Sequence, residues 1–298
     1  MYPAPFGYRR ASTLREAAQM LASLGPDAKL LAGGQTLIPM MKLRLLKPAT
    51  LVDIGRIEEA RGIRRTATAL EIGALTTHEA VASSPEAAQY PILKDCAGGI
   101  ADTQVRSLGT IAGSLAEADP SSCWPTLLMA LDASVQCVSP SGERVQTVRE
   151  LLKDAYTPAL APAELIAKVV IPLATLEGCG TFVAFKRAAA AYPTASCALQ
   201  VQLRGDVIES ARLALGCVGL TPLVVDVMTR LRDRTWAGVA DEEIAALAAE
   251  QAQPLSDNKG SADYKRSLIQ GLVRRALRIV RARARGMTEP EATHTYYG

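Results

Sequence analysis

The feature of this sequence that most constrains the fold is a glycine-centred tract near the N-terminus, Leu30–Thr36, which reads Leu-Leu-Ala-Gly-Gly-Gln-Thr. A second glycine tract, Thr110–Ser114, reads Thr-Ile-Ala-Gly-Ser. Glycine lets the main chain turn sharply and present its N–H groups to a ligand with no side chain in between. Where such a turn opens a helix, it favours an anion such as a diphosphate. Both tracts together could hold a long diphosphate cofactor from two sides.

Neither tract matches a common phosphate-binding motif. A P-loop requires a Lys-Ser or Lys-Thr pair after its glycines, and a Rossmann fingerprint requires G-x-G-x-x-G. The first tract has only the pair Gly33-Gly34, and no such lysine follows either tract. A glycine pair alone more often forms an ordinary tight turn, whereas the longer flanks, Ala32–Pro39 and Thr110–Pro120, are more specific.

The other side chains do not suggest a metal or hydrolytic centre. The chain has two histidines, His78 and His294, and no G-x-S-x-G elbow accompanies His78. The six cysteines are scattered without a C-x-x-C pair, at Cys96, Cys123, Cys137, Cys179, Cys197 and Cys217. Zinc sites, iron–sulfur clusters and disulfide frameworks need other spacings, so we expect reduced thiols. The sequence therefore predicts no catalytic side chain and no metal ligand.

Length and charge limit the class of protein. A chain of 298 residues favours two domains, and 49% hydrophobic residues are enough for a sizeable core. The net charge of +3 is nearly balanced. The arginines between positions 274 and 285 alternate with apolar residues, as on the solvated face of a helix, so we expect no nucleic-acid partner. We also expect no signal peptide and no membrane span, and therefore a cytoplasmic protein.

The order of predicted elements changes part-way along the chain. A helix at Leu14–Leu24, with Thr13 and Glu16 as a capping box, is followed by alternating strands and helices up to a strand at Glu164–Ile171. Beyond it we expect strands at 181–187, 195–203 and 210–218, and then helices near 222–232, 241–252 and 261–285. Strands followed by a run of helices indicate a separate α+β domain. The polar tail at 286–298 is expected to be mobile.

The flanks of both tracts resemble one family. Ala32–Pro39 matches throughout a motif close to A-G-G-Q/H-S/T-L-L/I-P. Thr110–Pro120 matches T-I-G-G-S/N-L-A-x-A-D-P, except that Ala112 replaces a glycine. These strings are similar to those of the FAD-binding (medium) subunits of molybdenum hydroxylases, the xanthine dehydrogenase and carbon monoxide dehydrogenase group. The resemblance runs nearly from end to end.

The resemblance implies an α+β fold in two domains. Residues 1–174 would form a PCMH-type (vanillyl-alcohol-oxidase-like) FAD-binding domain of two α/β subdomains. Residues 178–285 would form a small α+β C-terminal flavoprotein domain, and residues 286–298 a mobile tail. FAD would be the cofactor held by this chain.

The resemblance also implies which residues bind FAD. The main-chain N–H groups of the two tracts would hold the diphosphate, and two isoleucines would give apolar contacts. A lysine would stabilise the reduced ring and a tyrosine would cover one of its faces. Cys123 stands where relatives often carry an acidic residue. The full implied set is Leu30, Leu31, Ala32, Gly33, Gly34, Gln35, Thr36, Ile100, Thr110, Ile111, Ala112, Gly113, Ser114, Asp119, Cys123, Ile166, Lys186 and Tyr192.

The resemblance implies partner subunits as well. A chain without metal ligands would take electrons from a small [2Fe–2S] subunit, while a large subunit with a molybdenum cofactor would hydroxylate the substrate. The assembly would be a heterotrimer, doubled to a dimer of heterotrimers. Two alternatives stay open: a self-contained flavin oxidase of the vanillyl-alcohol oxidase type, and an assembly subunit that has lost the flavin.

Overall fold

The computed structural model describes residues 2–287 and 293–296, and its first layer is a small parallel sheet. The elements of this layer are β1 (Gly7–Arg10), α1 (Leu14–Leu24), β2 (Ala28–Leu31), α2 (Leu37–Lys42) and β3 (Thr50–Asp53). The strand order is β1-β3-β2, and α1 packs on β2 and β3. The first glycine tract spans the end of β2 and the loop into α2, as the sequence predicts.

Capping residues determine the ends of α1. The Thr13 side chain accepts a hydrogen bond from the N–H of Glu16 at 3.1 Å, and Gly25, with φ of 78°, ends the helix. The Glu16 carboxylate accepts from the N–H of Ser12 at 2.6 Å rather than from that of Thr13. The predicted capping box is therefore only half formed.

The second layer is a five-stranded antiparallel sheet with helices on it. Its strands lie in the order β4-β5-β10-β6-β7, and α7 packs against β10. The elements are β4 (Ile63–Arg65), β5 (Ala69–Gly73), α3 (His78–Ser83), α4 (Pro85–Ala88), α5 (Pro91–Gly98), α6 (Thr103–Leu108), α7 (Ile111–Glu117), α8 (Cys123–Ala130), β6 (Ser134–Ser139), β7 (Gly142–Thr147), α9 (Val148–Leu151), β8 (Leu152–Asp154), β9 (Thr157–Pro158) and β10 (Leu165–Pro172).

The third layer is a C-terminal sheet in the order β14-β13-β12-β11-β15, which is buried on both faces. Its elements are α10 (Leu173–Leu176), β11 (Cys179–Lys186), β12 (Pro193–Arg204), β13 (Val207–Gly216), β14 (Leu223–Val225), α11 (Met228–Leu231), α12 (Asp241–Gln251), α13 (Ala262–Ala284) and β15 (His294–Tyr296). Phe182 and Ala184 belong to the core of the second layer, on the side of α5 and α8. Val183 and Cys197 belong to a second core under α12 and α13. The fold class expected from the sequence is confirmed.

Two sequence expectations differ from the structure. A continuous helix near 222–232 is wrong, because Leu223–Val225 pairs antiparallel with β13 at the edge of the sheet and only Met228–Leu231 is helical. Valines at positions 224 and 225 favour a strand. In the tail, His294–Tyr296 pairs in parallel with β11 and so is held in the sheet. The rest of the expected mobile tail, residues 288–292 and 297–298, lies outside the described residues.

None of the helices within the described ranges is both long and apolar enough to cross a bilayer.

Candidate flavin-binding site

The first glycine tract presents free main-chain donors. Leu30 and Leu31 end β2, and the chain then turns through Gly34, whose φ of 70° is a left-handed conformation that favours glycine. Across residues 2–287 and 293–296, no acceptor pairs with a main-chain N–H group of Ala32–Thr36. The Gln35 amide folds back onto the carbonyl of Gly33 at 3.3 Å. This row of unpaired N–H groups fits an anionic group such as a diphosphate.

Gly33 joins the first tract to the chain that leads into the second. A Cβ atom at position 33 would lie 2.1 Å from the carbonyl oxygen of Leu108 and 3.0 Å from Cα of Gly109. Because both neighbours are backbone, they cannot move aside as a flexible side chain can. The two tracts therefore adjoin, as the sequence suggests, and glycine at position 33 permits the close approach.

The second glycine tract is different, because the main-chain N–H groups of Ile111–Ser114 already donate within the chain. Thr110 caps α7 by accepting from the N–H of Gly113 at 3.2 Å. The N–H groups of Ile111, Ala112 and Ser114 donate to the carbonyls of Thr76, Ala74 and Thr110, at 3.1, 3.2 and 3.1 Å. We therefore expect Thr110–Ser114 to support the first tract by packing rather than to donate main-chain hydrogen bonds to a phosphate.

The substitution of alanine for glycine at position 112 is accommodated. Ala112 is 7% exposed and belongs to the same core as Ile111 and Leu115. The methyl group of Ala112 is therefore packed in the protein core.

Tyr192 lies in the connection between β11 and β12, near the side chain of Thr36 of the first tract, and the residue is 49% exposed. Partial burial of its hydroxyl, together with the nearby carboxylate of Asp119, raises the pKa of Tyr192 to about 12, while Thr36 acts in the opposite direction. Asp119 itself holds the turn after α7, because its carboxylate accepts from the N–H of Ser121 at 2.7 Å. Tyr192 and Asp119 therefore lie on the same side of the site.

Lys186 is a buried cation at the end of β11. Its side chain is 0% exposed and donates to the carbonyl oxygen of Gly99, the residue before Ile100. No carboxylate in the described part of the chain forms an ion pair with it. Burial lowers the pKa of Lys186, and the Cys123 and Cys96 thiols nearby act in the opposite direction. Lys186 and Ile100, named together from the sequence, are thus close in space.

Cys123 and Ile166 lie inside the core. Burial raises the pKa of the Cys123 thiol to about 11, so this side chain is neutral near pH 7. Ile166 lies on β10 opposite Cys137, 5% exposed, in the sheet on which α7 packs. No contact places Ile166 beside Thr36, Lys186 or Tyr192, and its role toward a cofactor stays a prediction.

Several residues at the site were not predicted from the sequence. Arg106 donates to the Ile100 carbonyl at 3.2 Å and pairs with Glu79 at 2.8 Å, which orders the loop beside Lys186. His294 packs its ring against Gly99, where a Cβ would lie 1.8 Å from the imidazole Nε2. Burial and the nearby Lys186 lower the pKa of His294 to about 3. Nothing in the local sequence indicates these contacts, because each joins segments far apart in the chain.

His78 contacts Gly109, the residue that precedes the second tract. Its Nδ1 accepts from Trp124 Nε1 at 3.0 Å, and its main-chain N–H donates to the Gly109 carbonyl at 3.0 Å. Burial, with a smaller contribution from Arg106, lowers the pKa of His78 from 6.5 to about 4. His78 is therefore neutral at pH 7 and joins α3, α8 and the second tract.

This buried imidazole predicts a pH dependence of stability. The unfolded histidine takes up a proton near pH 6.5 and the folded one only near pH 4, so the unfolded state binds more protons between these values. Lowering the pH from 7 to 4.5 should cost about 2–3 kcal/mol through this group. Urea unfolding at both pH values measures it. His78→Asn keeps an acceptor for Trp124 and should show a smaller loss; equal losses in both proteins would contradict the assignment.

Comparison with known proteins identifies both halves of the chain. Residues 4–174 match the model of the FAD-binding domain in molybdopterin dehydrogenase. Residues 180–280 match the model of the CO dehydrogenase flavoprotein C-terminal domain.

Individual relatives are similar over nearly the whole length. The carbon monoxide dehydrogenase medium chain of Afipia carboxidovorans is 35% identical over 96% of this chain and 100% of its own. The glyceraldehyde dehydrogenase medium chain of Sulfolobus acidocaldarius is 34% identical over 94% of this chain and 100% of its own.

Solved structures are similar to the same extent. A chain in the crystal structure of the Cu,Mo-CO dehydrogenase superposes with a TM-score of 0.91 at 35% identity, covering 95% of this chain and 100% of that one. A chain of quinoline 2-oxidoreductase from Pseudomonas putida gives 0.89 at 30% identity, covering 95% and 99%.

Proposed function

Because this chain belongs to the family of FAD-binding medium subunits of molybdopterin dehydrogenases, we propose that it is an FAD-carrying electron-transfer subunit. It takes electrons from a [2Fe–2S] partner and passes them to an external acceptor. Substrate hydroxylation then takes place at a molybdenum cofactor in a large partner subunit. The relatives named above act on different substrates, so the substrate is a property of that partner.

The observation that supports FAD binding most directly is the row of unpaired N–H groups at Ala32–Thr36. A hydrogen bond from such a group to a charged phosphate is worth about 1.5–3 kcal/mol. Several of them would hold the diphosphate without a covalent link. Gly34 permits the left-handed turn that forms this row, Gly33 permits the close approach of the second tract, and α7 and its cap Thr110 keep the neighbouring turn rigid.

Lys186 supplies a fixed positive charge. FAD, when bound, supplies the one- and two-electron redox chemistry of the subunit. A buried ammonium favours negative charge on whatever group lies beside it, and the low-dielectric surroundings strengthen this effect. Lys186 would thereby raise the reduction potential of the cofactor.

The proposal includes the assembly. A small [2Fe–2S] subunit and a large molybdenum subunit would complete a heterotrimer, doubled to a dimer of heterotrimers in the cytoplasm. The division into residues 1–174, 178–285 and 286–298 remains part of this proposal. So does the assignment of the cofactor-binding residues.

Purification of the native complex tests the function. Acid or heat should release one FAD per copy of this chain, and adding substrate should reduce the flavin only while the partner subunits are present. Flavin-free chain from an intact complex would favour the assembly-subunit alternative. Flavin reduction by substrate in the isolated chain would favour the self-contained oxidase.

A further inference from the structure

The loop at residues 257–260, before α13, is held in one conformation by side-chain contacts. The Asp257 carboxylate accepts from the N–H of Lys259 at 2.8 Å and pairs with the buried Lys265 at 2.8 Å. Arg187 donates to the carbonyl of Asn258 at 3.2 Å. These contacts fix the backbone from which Lys259 projects. The Lys259 side chain therefore loses less conformational entropy when it forms its own contacts.

The Lys259 ammonium contacts three points around the candidate site. Its Nζ donates to Oγ of Ser121 at 2.9 Å and to the carbonyl of Pro193 at 3.1 Å. It also lies 5.8 Å from the centre of the Tyr192 ring, within cation–π range. Ser121 belongs to the turn after the second tract, whereas Tyr192 and Pro193 belong to the C-terminal sheet. Lys259 therefore joins the two halves of the chain beside Tyr192.

We propose that Lys259 is a positioning residue of the flavin site. It holds the Tyr192 ring through the cation–π contact with its ammonium group, and it fixes the Ser121 turn against the C-terminal sheet. This inference rests on the proposed function, because the object positioned is the tyrosine expected to cover one face of the flavin. Lys259 acts through Tyr192 and Ser121 rather than by contact with the cofactor.

Charge and shape both favour lysine at this position. A hydroxyl, a carbonyl and an aromatic face all attract a cation, and the compact ammonium group can contact all three at once. The Asp257 carboxylate is paired with Lys265, so Lys259 is free to point across the interface. Methionine would keep the length of the side chain but would lose both hydrogen bonds and the cation–π contact.

The test uses the native complex loaded with FAD. Lys259→Met, Lys259→Arg and Tyr192→Ala are compared with Lys153→Met, a control at an exposed lysine in the other half of the chain. The readouts are bound-flavin fluorescence, which a ring stacked on the flavin quenches, and the dissociation constant of FAD. Lys259→Met should release the quenching and weaken FAD about tenfold. Lys259→Arg, which keeps the cation, should restore most of both.

The double variant separates positioning from general damage. In a Tyr192→Ala background the quenching is already lost, so adding Lys259→Met should change the fluorescence no further. Additive changes, or a Lys259→Met protein indistinguishable from the Lys153→Met control, would overturn the inference. Absence of FAD from the wild-type complex would instead overturn the proposed function. The two failures can thus be told apart.

Discussion

Replacing Gly33 by alanine should abolish FAD retention and destabilise the protein, although only one methyl group is added. The new Cβ would lie 2.1 Å from the carbonyl oxygen of Leu108, so the two glycine tracts must separate. We expect overpacking to cost about 2–3 kcal/mol of unfolding free energy. Loss of two or more phosphate hydrogen bonds should weaken FAD by at least about 100-fold. Flavin absorbance and urea unfolding measure the two effects.

Gly271→Ala provides the matched control for this prediction. Gly271 lies in α13, and a Cβ there would meet nothing within 4 Å. Alanine should therefore stabilise the helix by about 1 kcal/mol and leave FAD bound. Wild-type FAD occupancy in the Gly33→Ala protein would show that the first tract is misassigned.

Removing the carboxylate of Asp95 should have the largest effect on stability. Asp95 on α5 pairs with Arg283 on α13 at 2.7 Å, and both side chains are 10% exposed. Burial raises the pKa of Asp95 in spite of Arg283, so the attraction does not fully offset the cost of desolvation. Asp95→Ala nevertheless breaks a buried ion pair and removes the acceptor of the Thr181 hydroxyl and the Phe182 N–H, and we expect a loss of about 3–5 kcal/mol.

Two further variants check the interpretation of this pair. The double variant Asp95→Leu/Arg283→Met replaces both charges and should lose much less stability than Asp95→Ala. Glu209→Ala breaks the exposed pair with Arg204 and should cost far less than Asp95→Ala. A double variant as unstable as Asp95→Ala would mean that the cost comes from lost packing and not from the broken ion pair. Chemical denaturation of each protein gives the comparison.

The sequence predicts an element correctly where the contacts that form the element are local. Thr13 and Gly25 define the ends of α1 through contacts within a few residues, and both ends can be predicted from the sequence. The glycine tracts can be predicted for the same reason, because a sharp turn favours glycine. The sequence did not show which glycine does what: Gly34 has the positive φ, whereas Gly33 makes the close approach.

Long-range contacts account for what the sequence could not show. The strand at Leu223–Val225 forms because it pairs with the edge strand β13, whereas a helix is expected there from the sequence. The occupied N–H groups of Ile111 and Ala112 depend on carbonyls some 35 residues earlier in the chain, at Thr76 and Ala74. Lys259 reaches Ser121 from 138 positions away. None of these pairings leaves a pattern in the residues on either side.

Because the C-terminal sheet is buried on both faces, it limits which segments can be exchanged between related subunits by recombination. Phe182 and Ala184 face the second layer, while Val183 between them faces the C-terminal helices. A chimera that takes its C-terminal segment from a relative would therefore import half of a foreign interface. Recombination should succeed only when the facing surfaces of α5 and α8 are transplanted with the sheet. Related proteins that arose by recombination of these segments are then expected to have inherited both sides of that interface together.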